Sequence, residues 1–331
     1  MTDTRLDVLA IGNAIVDVIA AADDQFLSAE GLEKGSMRLI EADEATALYG
    51  RMAPGRETSG GSAANTVAGV AALGLRSGFI GQVAGDQLGE VFSHDIRALG
   101  VDFRTAPLDG EIPTARCLIL VTPDAQRTMN TFLGASQHLP ATALDEAQIR
   151  DAGILYLEGY LWDPEEPRAA MERAIAVARE AGRKVAFTLS DSFCISRHRD
   201  GFKALIDGGS IDILFANEEE LKGLSGENDF EQALAATAAR VKLLVVTRGE
   251  GGAVAVQGTE RAQVAAEPVD KVVDTTGAGD LFAAGFLAGH AQGRPLEQSL
   301  RMGAIAAAEV ISHYGARPEA DLKALVAAKL G

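Results

Sequence analysis

The run Asp274-Thr275-Thr276-Gly277-Ala278-Gly279-Asp280 passes directly into the apolar stretch Leu281-Phe282-Ala283-Ala284-Gly285-Phe286. Small residues at 277–279 leave backbone N–H groups open where a helix begins, and the first turn of a helix has no internal acceptors for them. Together with the positive end of the helix dipole, those N–H groups form an anion site. A carboxylate beside such a site can take a hydroxyl proton while the N–H groups hold charge that develops on a transferred group. Asp280 therefore reads as a base, and Gly277, Ala278 and Gly279 as an anion hole suited to phosphoryl transfer. Taken alone, the same run also reads as a glycine-rich helix start with a capping Asp.

Upstream of this run, short apolar segments alternate with helical patterns. Strands are expected over 8–12, 77–81, 154–157, 184–188, 213–215, 243–247 and 253–257, and helices over 64–73, 88–99, 168–181 and 230–240. This alternation predicts an α/β fold with a mostly parallel sheet covered on both faces. Right-handed crossovers then bring the loops at the strand C-termini together, where ligands collect. The C-terminal third is expected to be helical, over 278–290, 296–313 and 319–329. Segments 16–22, 36–40, 114–121 and 128–133 fit the alternation less well. The last two flank Thr122-Pro123-Asp124-Ala125, a turn-like tetrapeptide, and so read as a hairpin. Being dispersed, they predict a small second sheet built from insertions at about 14–22, 36–40 and 112–134 within one domain spanning 1–331. There is no internal repeat and no low-complexity linker.

Other polar clusters fall at expected strand ends or helix starts. In Gly60-Gly61-Ser62-Ala63-Ala64-Asn65, two glycines allow close backbone approach and Asn65 sits on the first helical turn, an arrangement suited to sugar hydroxyls. In Gly12-Asn13-Ala14-Ile15-Val16-Asp17, a carboxylate four residues after an amide can grip a vicinal diol. In Asn217-Glu218-Glu219-Glu220, an acid can hold waters of a Mg²⁺ ion, though an acidic helix start favoured by the dipole reads equally well. Thr247-Arg248-Gly249-Glu250-Gly251-Gly252 follows a buried strand and suits nucleotide phosphates or ribose, or a plain hairpin turn. No Walker A run and no GxGxxG run is present, which removes the main support for P-loop and dinucleotide-binding folds.

The 331 residues carry a formal net charge of −17, with 47 % hydrophobic and 23 % charged residues, an ordinary globular composition. Such a surface repels nucleic acid and anionic membranes, so neither is expected as a partner. The two cysteines, Cys117 and Cys194, lie in no CxxC or Cys/His cluster and are expected as reduced buried thiols. The chain opens on a strand-like run over 6–11, with no basic and long apolar segment ahead of it, and no stretch approaches a membrane span. A cytoplasmic protein is expected.

The order Gly12-Asn13 with Asp17, Gly60 to Asn65, Asn217 to Glu220, Thr247 to Gly252 and Asp274 to Asp280 resembles the PfkB or ribokinase-like carbohydrate kinases over about the whole chain. Within that family the chain looks most like adenosine kinases and their bacterial relatives, through Gly12-Asn13 with Asp17, Pro113-Thr114 with Cys117, Arg127-Thr128-Met129, and Thr188-Leu189-Ser190 with Phe193. The resemblance implies a three-layer sandwich with a small β lid. It implies Asp280 as base, Gly277 to Gly279 as anion hole, and Arg127 reaching the phosphate from the lid. Asn13, Asp17, Gly60, Gly61 and Asn65 would hold the ribose, and Ile15, Ile40, Cys117, Met129 and Tyr160 would line the base pocket.

For ATP the resemblance implies Asn217, Thr247, Gly249, Gly252, Thr275 and Ala304 beside the anion hole. Glu220 would hold Mg²⁺ through water, and Asp274 with the Thr276 carbonyl a K⁺ ion. The acceptor expected first is adenosine, giving AMP. A sugar such as ribose or fructose, or inosine or guanosine, is the nearest rival. A catalytically idle nucleoside-binding protein is the rival from another class, and the intact 274–280 run argues against it. A monomer or homodimer is expected.

Overall fold

The computed structural model describes residues 5–124 and 126–331. Its fourteen strands, numbered in chain order, form two sheets. The large sheet holds β1 (Leu6–Ile11), β5 (Ser77–Ile80), β6 (Asp102–Phe103), β9 (Ala152–Glu158), β10 (Lys184–Thr188), β11 (Ile213–Asn217), β12 (Leu243–Thr247), β13 (Ala253–Gln257) and β14 (Glu260–Val264). The small sheet holds β2 (Ile15–Ala21), β3 (Met37–Leu39), β4 (Arg56–Gly60), β7 (Ala115–Val121) and β8 (Arg127–Phe132).

The large sheet runs in the order β14-β13-β12-β11-β10-β9-β1-β5-β6, parallel throughout except for the β12–β13–β14 meander. Its strands are apolar on both sides because helices cover both faces. Val8, Ala10, Ile154 and Tyr156 point into one core with the helices Ser62–Ala72, Ala278–Ala291 and Leu296–Val310. Leu9, Ile11, Leu155 and Leu157 point into the other, with the helices Glu165–Glu180, Ser192–Asp207 and Glu218–Ser225. The fold is thus the expected α/β three-layer sandwich with a second, smaller sheet. After β1 the chain builds outward to β5 and β6 on one side and, from β9, to β12 on the other. The order reverses at β1, and the crevice beyond the C-terminal ends of β1 and β9 is where such sheets bind ligands.

The small sheet has the order β3-β8-β7-β2-β4. Val16, Val18, Leu118 and Leu120 bury one face under the helices Asp24–Ala29 and Ala42–Tyr49, which sequence periodicity did not single out. β4 was also unforeseen. Its sequence Arg-Glu-Thr-Ser-Gly has no apolar period, and it joins through backbone pairing with β2. β7 and β8 form the expected antiparallel hairpin, with the Thr122 N–H donating to the Gln126 carbonyl at 3.0 Å. Of the expected turn, Ala125 lies outside the described residues.

Three further differences have local causes. The helix Ser192–Asp207 was missed because the polar run around a kink at His198 (φ −123°, ψ 17°) breaks its apolar stripe. β14 is polar along its exposed edge. The last two helices are Leu296–Val310 and Leu322–Leu330, shorter or shifted relative to the expected spans. Both cysteines are buried and free. No helix among the described residues is long and apolar enough to cross a membrane.

Candidate active site

The helix Ala278–Ala291 starts from Gly277, whose φ of 79° lies in the left-handed region. A Cβ there would also meet the Ala316 Cβ at 2.6 Å, so glycine is required twice over. The Ala278 N–H makes a long bond to the Thr275 carbonyl at 3.2 Å, and the N–H groups of Gly279 and Asp280 find no backbone acceptor among the described residues. A Cβ on Gly279 would meet nothing within 4 Å and would occupy the cleft itself.

Asp280, in the same first turn, accepts from the Ser62 hydroxyl at 2.6 Å and from the Asn65 amide at 2.9 Å. Burial pushes its pKa above the ordinary carboxylate value, while Ser62, Asn65 and the nearby Arg317 guanidinium pull the other way. The Asn65 carbonyl oxygen is buried with no partner, leaving an acceptor turned into the site.

Across the cleft stands Asp17 on β2, whose side chain makes no hydrogen bond to another described residue. Burial lifts its pKa to about 6 against the attraction of Arg317 and Arg127. Gly60 makes room for it, since a Cβ at 60 would fall 2.4 Å from the Asp17 Oδ2. Gly61, with φ 96°, starts the helix Ser62–Ala72 close against the β1 turn, where an added Cβ would fall 2.2 Å from the Asn13 carbonyl oxygen.

Asn13, expected on the ribose, is tied into the protein at the end of β1. Its backbone N–H and side-chain amide donate to the Glu158 Oε1 at 2.7 and 2.8 Å, and its Oδ1 accepts from Ser136 at 2.8 Å. These bonds brace the turn, and Asn13 also lines a second chamber of the cleft. Glu158, at the end of β9, is fully buried and also accepts from the Ala63 N–H at 2.7 Å. It ties the β1 turn to the start of the helix that carries Ser62 and Asn65. Burial lifts its pKa to about 7 against those donors.

Arg127 on β8 reaches from the small sheet to the segment ahead of the anion hole. It pairs with Asp274 at 2.6 Å, donates to the Thr276 hydroxyl at 3.1 Å and lies over the Tyr314 ring at 5.5 Å. Its Nε and Nη2 are buried without partners. Arg317 donates to the Ser59 and Ala64 carbonyls, at 2.9 and 2.7 Å, and so fixes the end of β4 against the helix start. Burial lowers its pKa to about 10, which leaves it charged beside Asp17 and Asp280.

At the far end of the cleft, Asn217 and Glu220 form a capping box. The Asn217 N–H and amide donate to the two Glu220 oxygens at 2.9 and 2.6 Å, and the Glu220 N–H returns to the Asn217 Oδ1 at 2.8 Å. Thr247 and Thr275 line the same cleft, which encloses about 470 Å³. Gly249, Gly252 and Ala304 do not line it. A Cβ on Gly252 would sit 2.0 Å from the Val264 carbonyl, so that glycine lets the β12–β13 connection pass the end of β14, and Ala304 is packed in the helical core.

A second chamber of about 350 Å³ shares Ile15, Ser62, Thr131 and Tyr160 with the first. Its apolar walls are Met37, Leu39, Leu133 and Phe193. Leu39 and Phe193, 64 and 68 % exposed, face each other from the small sheet and the large layer. Ile40, expected on this wall, is instead buried in the small sheet's own core, one residue out of phase with Leu39. Met129 shares a strand face with Arg127 and Thr131 but lines neither chamber. Cys117 lines the first chamber, its Sγ accepting from the Thr131 hydroxyl at 3.3 Å.

A carboxylate beside unpaired helix N–H groups, a second carboxylate facing it and a guanidinium with free donors make an arrangement that can support phosphoryl transfer. The pfkB family carbohydrate kinase model matches residues 7–322. The chain belongs to this family of kinases. The adenosine kinase from Sinorhizobium meliloti is 51 % identical with a TM-score of 0.90, over 98 % of this chain and 99 % of that one. A probable sugar kinase from Rhizobium etli CFN 42 is 49 % identical with a TM-score of 0.90, over 99 % and 98 %. A 5-dehydro-2-deoxygluconokinase from Shouchella clausii (strain KSM-K16) is 28 % identical over 97 % of this chain and 96 % of that protein. Membership implies ATP, usually with Mg²⁺.

In this kinase no group of three or more His, Cys, Asp or Glu side chains is gathered for a metal among the described residues. One buried acid at the cleft, Glu220, suits Mg²⁺, which keeps several waters and takes other ligands from substrate phosphates. Asp274 receives Arg127, the Thr276 N–H and hydroxyl, and the Gly315 N–H. It is saturated by protein donors in this arrangement. Ser62, Glu158 and Arg317 complete the kinase's site although no motif reading assigned them a role. The nearest signal was positional: Ser62 lies inside the quoted 60–65 run, and Glu158 ends an apolar strand.

Proposed function

We propose that this kinase transfers the γ-phosphoryl group of MgATP to the 5′-hydroxymethyl group of a nucleoside, with adenosine as the acceptor and AMP as the product. The observation that carries the reading is the pair of adjoining chambers. One holds Asp17, Asn65 and Asp280 beside the anion hole, and the other offers apolar faces from Leu39 and Phe193. A ribose needs hydroxyl partners and a purine needs apolar walls with a few polar edges, and the chambers supply these side by side. The 51 % identity to an adenosine kinase supports the same acceptor.

In this reading Asp17 takes the ribose diol and Asn65 a neighbouring hydroxyl, within the cradle that Gly60 and Gly61 leave open. Asp280 receives the 5′-hydroxyl proton as that oxygen attacks the γ-phosphorus, and the bond to the β–γ bridging oxygen breaks to release ADP. Ser62 and Asn65 hold the Asp280 carboxylate in line. The Gly279 and Asp280 N–H groups gather charge on the transferred group. Arg127 adds its two free donors and leaves Asp274 for the phosphate.

Thr247 and Thr275 lie along the nucleotide. Mg²⁺, held through water near Glu220, would neutralise the β- and γ-phosphates. A K⁺ ion beside Asp274 and the Thr276 carbonyl belongs to the state in which Arg127 has left. The small sheet acts as a lid over the acceptor within a single discontinuous domain, and every group used comes from one chain.

The test is kcat/KM for adenosine, inosine, guanosine, ribose and fructose under identical MgATP. Adenosine is expected to lead, and 2′-deoxyadenosine to be a poor acceptor. A sugar used better than adenosine overturns the nucleoside assignment. No phosphoryl transfer to any of them, with ATP bound, overturns this acceptor class.

A further inference from the structure

At the N-terminal ends of β10, β11 and β12, opposite the catalytic cleft, lies an open concavity of about 380 Å³. Four cationic side chains line it, Arg179, Arg183, Lys184 and Lys242, with Asp212 as the only carboxylate among the described lining residues and His290 at its edge. In a chain of formal charge −17, Arg179, Lys184 and Lys242 against Asp212 leave a local excess of 3 − 1 = +2 among the described residues. Asp212 is buried and fixed by the Val185 N–H at 2.9 Å. It accepts from Arg179 through both oxygens at 2.9 Å and from Lys242 at 2.6 Å. One carboxylate thus orients two cations and neutralises only one charge.

Lys184 has no carboxylate partner among the described residues. Its Nζ lies 2.7 Å from the His290 Nε2. Burial and the Lys184 charge push the His290 pKa down to about 4, so the ring is neutral and accepts from the ammonium. The neighbouring apolar side chains are Ile213 and Leu243, with no Phe, Tyr or Trp against which a nucleobase could stack.

We infer that this concavity is an anion site, separate from the catalytic cleft, that takes a compact multivalent phosphate group. The lack of Phe, Tyr or Trp walls and the clustered cations favour a phosphate or polyphosphate over a nucleotide base. The acidic remainder of the surface disfavours nucleic acid. Arg179 and Lys242 are held ready by Asp212, and Lys184 by His290, so little side-chain freedom is lost on binding. The helix Ala278–Ala291, which opens at the anion hole, ends beside His290, so the two sites occupy opposite ends of one helix.

The experiment follows the His290 ring resonances of the full chain by NMR during titration with pyrophosphate, inorganic phosphate or glycerol phosphate at fixed ionic strength. It is run with and without a saturating non-hydrolysable ATP analogue. The expected result is a saturable shift with pyrophosphate that the analogue leaves intact. Lys184→Gln, which leaves the Asp212 contacts alone, should weaken it roughly tenfold, and Lys184→Gln with Lys242→Gln roughly a hundredfold. Kinase kcat without added phosphate should stay at the wild-type value in both. Tighter binding of glycerol phosphate than of pyrophosphate would assign the site to phosphate esters, and the reverse to free polyphosphate. A response matched by sodium chloride, one abolished by the ATP analogue, or one undiminished in the double variant would overturn the proposal.

Discussion

Gly279→Val separates a catalytic glycine from a structural one two residues away. An added Cβ at 279 meets nothing within 4 Å, and the position is helical, so the fold has no reason to resist it. Replacing glycine by valine in a helix changes stability by only about 0.5 kcal/mol or less, slightly in valine's favour. The thermal midpoint should therefore stay within about 2 °C of wild type. The space filled, however, is the space beside the unpaired Gly279 and Asp280 N–H groups, where the transferring phosphate must come. Losing one such donor costs roughly 10²–10³ in kcat, or about 2.7–4 kcal/mol.

Gly277→Ala should behave in the opposite way. Its φ of 79° costs an alanine about 1–3 kcal/mol, and the contact at 2.6 Å from the Ala316 Cβ adds to that. The assay pairs steady-state ADP release with thermal unfolding for both variants. A Gly279→Val enzyme that is folded and turns over at the wild-type rate would refute the anion-hole reasoning. So would one that fails mainly by unfolding.

Asp280→Asn is expected to keep the fold and the nucleotide affinity while kcat falls roughly 10²–10⁴, the range for a positioned base; near-normal turnover would remove Asp280 from that role. Asp17→Ala should raise the acceptor KM strongly and leave ATP binding nearly intact, since two charge-assisted hydrogen bonds, each worth roughly 1.5–3 kcal/mol, would be lost. Because burial lifts Asp17 to about 6, acceptor kcat/KM should climb as pH rises through that value, and Asp17→Asn should lose this limb. Glu158 is raised from 4.5 to about 7, so its stabilising contribution is full below pH 4.5 and declines as pH rises through 7. Over that window, wild type should lose up to about 3 kcal/mol relative to Glu158→Gln in denaturant titrations, and parallel stability curves would contradict the shift. Leu39→Asp should weaken adenosine and spare ATP, by setting a charge against an apolar ring face; an unchanged adenosine KM would mean that no base sits there.

What could be read from the sequence divides along physical lines. Buried parallel strands are short apolar runs between helical patterns, so β1, β9, β10, β11 and β12 were visible, and with them the strand ends where ligands collect. The anion hole was visible because it is local: φ 79° at Gly277 and open space at Gly279 are demands on neighbouring residues of one turn. Ile40 was misplaced because a three-residue edge strand is too short to fix its phase, and a one-residue slip exchanges Leu39 for Ile40.

The groups that escaped are those whose meaning is set by partners far along the chain. Ser62 meets Asp280 across 218 residues, and Arg317 meets Ser59 across 258. Glu158 meets Asn13 across 145, and neither residue betrays the other locally. That contact also gives Asn13 a bracing role that spacing did not show. Asn13 and Asp17 lie four apart, but β2 begins between them at Ile15, so the two side chains belong to different structures. Asn13 belongs to the large sheet, bound to Glu158 and Ser136, while Asp17 lies in the small one. In the proposed reading, a nucleoside gripped by Asp17 would be held by the small sheet, and Asp280, its proposed base, is fixed through Ser62 and Asn65 to the large layer. Closing the small sheet would bring the acceptor to its base, and Arg127, carried on the same sheet, would reach the phosphate in that movement.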